Sequence, residues 1–233
     1  MIKTLNIYSK DLLHLFFPHH CTGCGSDVVE DSQLLCLQCL AKLPETKFFE
    51  AEGNPVEKTF YGRLALQSAG AAYYFTKDSF VQHLITELKY HGNTDIGIYL
   101  GKLTALQMQK SDRFESVDCI VPLPLNDKKF QKRGYNQAAL IAEGMLSILN
   151  IPVITNAVVR RLFTETQTKK DRVTRWQSMQ NVFEIKNISS LENKHVLLVD
   201  DIVTTGATLE ACGSVMLQVP NLKLSIATVA WTI

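Results

Sequence analysis

The chain has 233 residues, 46% hydrophobic and 20% charged, proportions of a folded globular protein rather than a disordered or fibrous one. Its formal net charge of +1 excludes a surface that attracts polyanions everywhere, so any basic site is local. No apolar run approaches the ~20 residues a bilayer crossing needs. No membrane insertion is therefore expected, and with no secretory cleavage pattern a cytoplasmic location is expected.

In chain order, residues 1–43 read as a small N-terminal unit. Residues 1–17 suggest a short helix ended by Pro18. Cys21, Cys24, Cys36 and Cys39 then form two Cys-x2-Cys knuckles separated by eleven residues. In a reducing compartment such pairs point to metal rather than disulfide. Four thiolates fill a tetrahedral site with no open position, so a structural Zn2+ is expected in a zinc-ribbon-like module. A unit this small has little core, and metal binding supplies the missing stability. Residues 44–67, with Pro44, Gly53, Pro55 and Gly62 among charged residues, read as a linker.

Residues 68–233 alternate strand and helix patterns. Residues 69–75 suggest a strand. Residues 79–91 carry Val81, Leu84, Ile85 and Leu88 at helical spacing, with Asp78 as N-cap and Gly92 as stop. A second helix is expected over 94–109, a strand over 117–121 and a helix over 134–149. After a polar, basic stretch from 160 to 175, a fully apolar strand is expected over 195–199, a helix over 206–217 and a last strand over 224–231. Cys119 and Cys212 fall in apolar contexts and read as small core residues. The fold class is therefore α/β, a mostly parallel sheet flanked by helices, with the four-cysteine module attached. Ligands in such sheets bind at the carboxyl ends of the strands.

There the sequence reads Val199-Asp200-Asp201-Ile202-Val203-Thr204-Thr205-Gly206-Ala207-Thr208. Backbone N–H groups at a helix start attract an anion, Gly206 permits close approach, and the threonine hydroxyls donate to the same oxygens. Asp200 and Asp201 would repel that anion, so they suit ribose hydroxyls or a bridging metal ion. The run resembles the signature of type I phosphoribosyltransferases. The resemblance implies that the acids contact ribose, that Thr204, Thr205, Gly206, Ala207 and Thr208 hold a 5-phosphate, and that 5-phosphoribosyl 1-diphosphate binds with Mg2+. An ATPase reading fails because no G-x-x-x-x-G-K-[ST] loop exists.

A diphosphate needs a second cradle. Val121-Pro122-Leu123-Pro124-Leu125-Asn126 precedes Lys128, Lys129, Lys132 and Arg133, and Arg133-Gly134-Tyr135-Asn136-Gln137 opens the predicted helix with further N–H donors. This resembles the pyrophosphate loop of the same fold, with Leu123, Pro124, Leu125, Asn126, Lys128, Arg133 and Gly134 as the implied contacts. The Pro-x-Pro-Leu and Arg-Gly-aromatic-Asn-Gln runs narrow the resemblance to the ComF family, whose members also carry a four-cysteine module. The basic stretch sits where phosphoribosyltransferases have a flexible loop, here Arg161, Thr164, Gln167, Lys169 and Lys170. The family pattern continues with Arg-x-x-Asn, whereas this chain has Arg175-Trp176-Gln177-Ser178, so the role of that asparagine is not carried over to Ser178.

Two functions follow from the resemblance. One is phosphoribosyl transfer to an acceptor that no residue identifies, with the linker and zinc module as places for its recognition. The other is a non-catalytic accessory role in DNA uptake, with single-stranded DNA and a helicase as partners and with the basic stretch, Trp176 and the zinc module as the contact surface.

Overall fold

The computed structural model describes residues 20–27, 29, 33–161 and 182–233. The predicted helix over 1–17, most of the basic stretch, Trp176 and Ser178 lie outside them. A short helix α1 (Leu37–Leu40) closes the second cysteine knuckle and α2 (Pro55–Phe60) follows. The body then runs β1 (Ser68–Phe75), α3 (Phe80–Tyr90), α4 (Thr94–Met108), β2 (Cys119–Pro122), α5 (Asp127–Arg133) and α6 (Gln137–Leu149). It continues with β3 (Val158–Arg160), β4 (Phe183–Ile185), β5 (His195–Val203), α7 (Ala207–Met216) and β6 (Lys223–Thr232).

Four strands form one parallel sheet in the order β1-β6-β5-β2. β5 lies in its middle because residues 195–199 are buried without interruption, as a strand covered on both faces requires. One face packs against α3, α4 and α6 through Leu88, Leu100, Ile141 and Met145. The other packs against α2 and α7 through Phe60, Leu209, Cys212 and Met216. β3 and β4 pair separately, antiparallel. Among the described residues, no helix is long and apolar enough to cross a membrane.

The 44–67 segment, expected to be a linker, packs instead onto the body. Thr46 N donates to Ala72 O at 3.0 Å and Tyr74 N to Pro44 O at 2.9 Å, which extends the sheet beyond β1. Phe49 lies so close over Gly70 that a Cβ there would sit 2.5 Å from its ring. Asn54 Nδ2 donates to the carbonyls of Phe48, Ala51 and Ala69 at 2.8–3.0 Å, while its Oδ1 caps α2. Glu57 pairs with Arg113. A polar, Pro- and Gly-bearing sequence looks like a linker until its polar groups are found turned inward.

Three element boundaries also differ. Ser79, not Asp78, caps α3, its hydroxyl accepting from Gln82 N at 3.2 Å, and Asp78 takes a left-handed backbone. The predicted 134–149 helix begins only at Gln137, and a separate helix, α5, precedes it. Gly134 is therefore the left-handed residue that ends α5 rather than an opening residue, with φ of 81°. The strand expected over 195–199 runs on to Val203, so the two aspartates lie inside it rather than past its end.

Candidate functional site

The cysteine knuckles come together as their spacing requires. The Sγ atoms of Cys21, Cys24, Cys36 and Cys39 lie within 4.8 Å of one another, with Cys24 and Cys36 3.8 Å apart. A tetrahedral ion with Zn–S bonds of ~2.3 Å demands sulfur separations of about 3.8 Å, so the donor set fits zinc. Burial raises the Cys21 thiol, but the backbone N–H groups of Cys36, Cys24 and Gly23 outweigh it and hold the thiol below its usual range. The module is not detached. Cys21, Cys36 and Cys39 share a continuous core with Leu84 and Leu88 of α3.

At the other end of the body, β5 carries Asp200 and Asp201 toward the loop before α7. Successive strand residues face opposite sides of a sheet, so the acids part rather than act side by side. Asp201 is buried on the side of α3, where its Oδ2 lies 2.8 Å from Lys89 Nζ. That contact is ionic rather than a hydrogen bond, and the buried oxygen keeps an unmet acceptor. Asp200 is half-buried on the opposite side and its Oδ1 accepts from Asp201 N at 2.8 Å. Desolvation and the neighbouring Asp201 push its carboxyl up to about 8, against the opposing pull of Asp201 N–H, Lys89 and Lys129.

Thr204 and Thr205 form an exposed bend, and Gly206, left-handed at φ 72°, starts α7 with no side-chain cap. Ala207 and Thr208 in the first turn are exposed, and the N–H of Ala207 meets only the distant Thr205 hydroxyl at 3.5 Å. Behind the bend, a Cβ at Gly206 would fall 2.7 Å from the Phe60 ring. Arg63 donates to Thr205 O at 3.0 Å and pairs with Glu210. The 44–67 segment thus backs this loop.

The second loop is built differently. Leu123 is buried and extends the ladder to Val199 O at 2.8 Å, while Pro124, Leu125 and Asn126 are half-buried. Asn126 caps α5 by accepting from Lys128 N at 3.1 Å. Asn136 caps α6 and donates to Leu123 O at 3.0 Å. The N–H donors that the sequence offered to an anion here are partly engaged by asparagine. Lys128 is exposed. Arg133 stacks on Tyr90, 5.4 Å from its ring centroid, and donates to Gln137 Oε1 at 2.9 Å.

Of the basic stretch, Arg161 is described and binds Glu184 at 3.1 Å, whereas Thr164, Gln167, Lys169 and Lys170 lie outside the described residues. Sequence reasoning missed Lys89 and Arg63, and named Lys129 only as part of a basic run without singling it out. Lys89 occupies an ordinary last-turn position of an amphipathic helix, Lys129 is one of four basic residues in a run, and Arg63 fell in the supposed linker. Only the fold marks them.

The comparisons with known proteins agree with this architecture. Residues 136–230 match the phosphoribosyl transferase domain model. The chain is 30% identical to competence protein ComFC of Bacillus subtilis over 62% of its own length and 56% of that protein. It is 28% identical to competence protein F of Haemophilus influenzae over 83% of itself and 76% of that protein. It is also 28% identical to the DNA utilization protein YhgH of Escherichia coli over 58% of itself and 60% of that protein. The first likeness therefore spans little more than half of its relative. With the parallel sheet and the four-cysteine cluster, these likenesses make the chain similar to competence proteins ComFC and F, with a phosphoribosyl transferase-like domain in its C-terminal part.

Proposed function

We propose that the carboxyl end of the sheet binds 5-phosphoribosyl 1-diphosphate with Mg2+ and transfers the phosphoribosyl group to an acceptor. The observation that carries this reading is the start of α7, where a left-handed glycine leaves a helix N-terminus without a side-chain cap between exposed threonine hydroxyls. A 5-phosphate there would accept from the N–H groups of Ala207 and Thr208 and from the hydroxyls of Thr204, Thr205 and Thr208. Binding at this remote group orients the reacting carbon.

Asp200, half-buried beside that loop, would once ionised accept from a ribose hydroxyl and stabilise positive charge on the ring as the leaving group departs. Asp201, its charge met by Lys89, would hold the strand side of the site in place. Lys129, whose field already reaches Asp200, would face the leaving pyrophosphate with Lys128. The carboxylate oxygens fit a hard cation. Asp200 would help to hold Mg2+, which would supply screening of the pyrophosphate charge. Leu123, Pro124, Leu125, Asn126, Arg133 and Gly134 would shape that side of the site. Asn126 acts there as a helix cap and Arg133 through Tyr90.

Calorimetric titration of the zinc-loaded chain with 5-phosphoribosyl 1-diphosphate and Mg2+, beside the Asp200→Asn/Asp201→Asn variant, tests the reading. Magnesium-dependent binding that disappears in the variant is expected. No binding by the wild type would overturn it.

The names of the relatives, competence and DNA utilization proteins, favour a second reading. In it the chain is a non-catalytic accessory to DNA uptake, binding single-stranded DNA and working beside a helicase. Lys169→Ala/Lys170→Ala would then weaken binding to single-stranded DNA and flatten its salt dependence, with the Asp200/Asp201 variant behaving as wild type in the same assay.

A further inference from the structure

Helix α3 touches both unusual regions of the molecule. Its first turn rests on the cysteine module: the Phe80 ring lies against Gly23, where a Cβ would sit 2.5 Å from Phe80 Cζ and 3.0 Å from Cys39 Sγ. One turn on, His83 Nε2 lies 3.0 Å from Thr22 O, inside the first knuckle. Its last turn enters the acidic site. Lys89 Nζ is 2.8 Å from Asp201 Oδ2, with only 20% and 6% of the two side chains exposed. Leu88 O accepts from the Tyr135 hydroxyl, and the Tyr90 ring lies under Arg133, both at the turn between α5 and α6. Eleven residues make a rod of roughly 16 Å, and Val81, Leu84, Ile85 and Leu88 bury its inner stripe in the core.

A helix packed this way moves as a unit, so what seats one end sets the other. The seat at the first turn is the four-thiol loop, held by buried Leu35 and by backbone bonds such as Thr22 N to Leu34 O at 2.9 Å. Metal would cross-link that loop further, and its loss leaves Phe80 and His83 resting on a loosened knuckle. The ion pair at the last turn is sensitive to small shifts, because a buried carboxylate tolerates no loss of its partner.

We propose that Lys89 is a positioning residue for Asp201, and that metal at the cysteine cluster holds Lys89 in place through α3. Affinity for a ribose phosphate then depends on metal bound at the opposite end of the helix. The ligand part rests on the proposed function; the mechanical coupling does not.

The test compares the full chain loaded with zinc and stripped of it under reducing conditions. It reads hydrogen exchange of the α3 amides and calorimetric titration with ribose 5-phosphate and Mg2+. Stripping is expected to speed exchange at Glu87 to Tyr90 as well as in the first turn, and to weaken binding roughly tenfold, within the range of coupled sites. Phe80→Ala should reproduce both effects with zinc content unchanged, which separates coupling from loss of the fold. Lys89→Met should weaken binding while leaving α3 exchange and zinc content as in the wild type, and Lys89→Arg should restore most of the affinity.

Faster exchange confined to the first turn would overturn the coupling, and a Lys89→Met chain that titrates like the wild type would overturn the positioning role. Failure of the wild type to bind any ribose phosphate would sink the functional reading and the role of Lys89 in it. The exchange measurement would still decide whether the cysteine cluster controls the far end of α3.

Discussion

At Gly206 the chain enters α7 with only the distant Thr205 hydroxyl near its first N–H groups, whereas at Asn126 and Asn136 it enters α5 and α6 with an amide oxygen already on them. Both turns stand at the carboxyl end of the sheet, and both read in the sequence as anion cradles. The difference lies in what remains for a ligand. The Gly206 turn keeps backbone donors and hydroxyls open to a compact anion. The other loop has engaged much of its backbone internally, and its contribution is charge carried on lysine side chains. One loop offers directional bonds at fixed positions, the other a diffuse attraction that salt screens. Such a division suits a phosphate that must be held through a reaction and a pyrophosphate that must leave.

The largest effect on this contrast is expected from Gly206→Val. A β-branched residue at φ 72° is strained, and its Cβ would meet Phe60 at 2.7 Å and Thr59 at 3.1 Å. Strain and overpacking each cost about 1–3 kcal/mol. Thermal denaturation should show the loss, and calorimetry should show ribose-phosphate binding abolished. A stable variant that binds like the wild type would break the assignment of this turn as the anion seat.

Asn136→Ala should behave in the opposite sense, chiefly as a stability variant. It removes the cap of α6 and the bond to Leu123 O, a loss of about 1–2 kcal/mol in denaturant unfolding. Ligand affinity should fall far less than at Gly206. Equal losses of affinity at both positions would show that the second loop uses its backbone after all.

A smaller effect concerns pH. The Asp200 carboxyl is raised to about 8 in the folded chain, well above its ordinary range when unfolded. Between those values the folded state holds a proton the unfolded state lacks, so this contribution to stability is full at low pH and is lost as pH rises toward 8. In metal-free protein the melting temperature should therefore decline from pH 5 to 8 more steeply than in Asp200→Asn. Parallel profiles would show that Asp200 ionises as an ordinary surface acid.

The smallest change is expected from Lys129→Ala. The lysine is exposed, so stability should stay within about 0.5 kcal/mol of wild type. The Asp200 transition in the pH profile should move upward, because Lys129 favours the ionised form. Pyrophosphate affinity should drop a fewfold and lose part of its salt dependence. An unmoved transition would place Lys129 outside the site's field.

Much of this was legible in the residues. The two Cys-x2-Cys pairs, the alternating apolar segments and the Asp-Asp-x-x-Thr-Thr-Gly run depend on local spacing, and local spacing fixes which groups lie near one another along the chain. The sequence therefore determined the α/β architecture, the thiolate cluster and a helix start with open donors at Gly206. Tertiary structure alone decided the rest. It extended β5 through the aspartates, which sends them to opposite faces, and gave Asp201 the lysine of a helix more than 100 positions away in the chain. It turned Asn54 and Glu57 inward, so that an apparent linker became a wall behind the Gly206 turn. It also set the first turn of α3 on the cysteine knuckle. These are contacts between segments distant in the chain, chosen by packing and by the need to pair buried polar groups, and no periodicity within one segment records them.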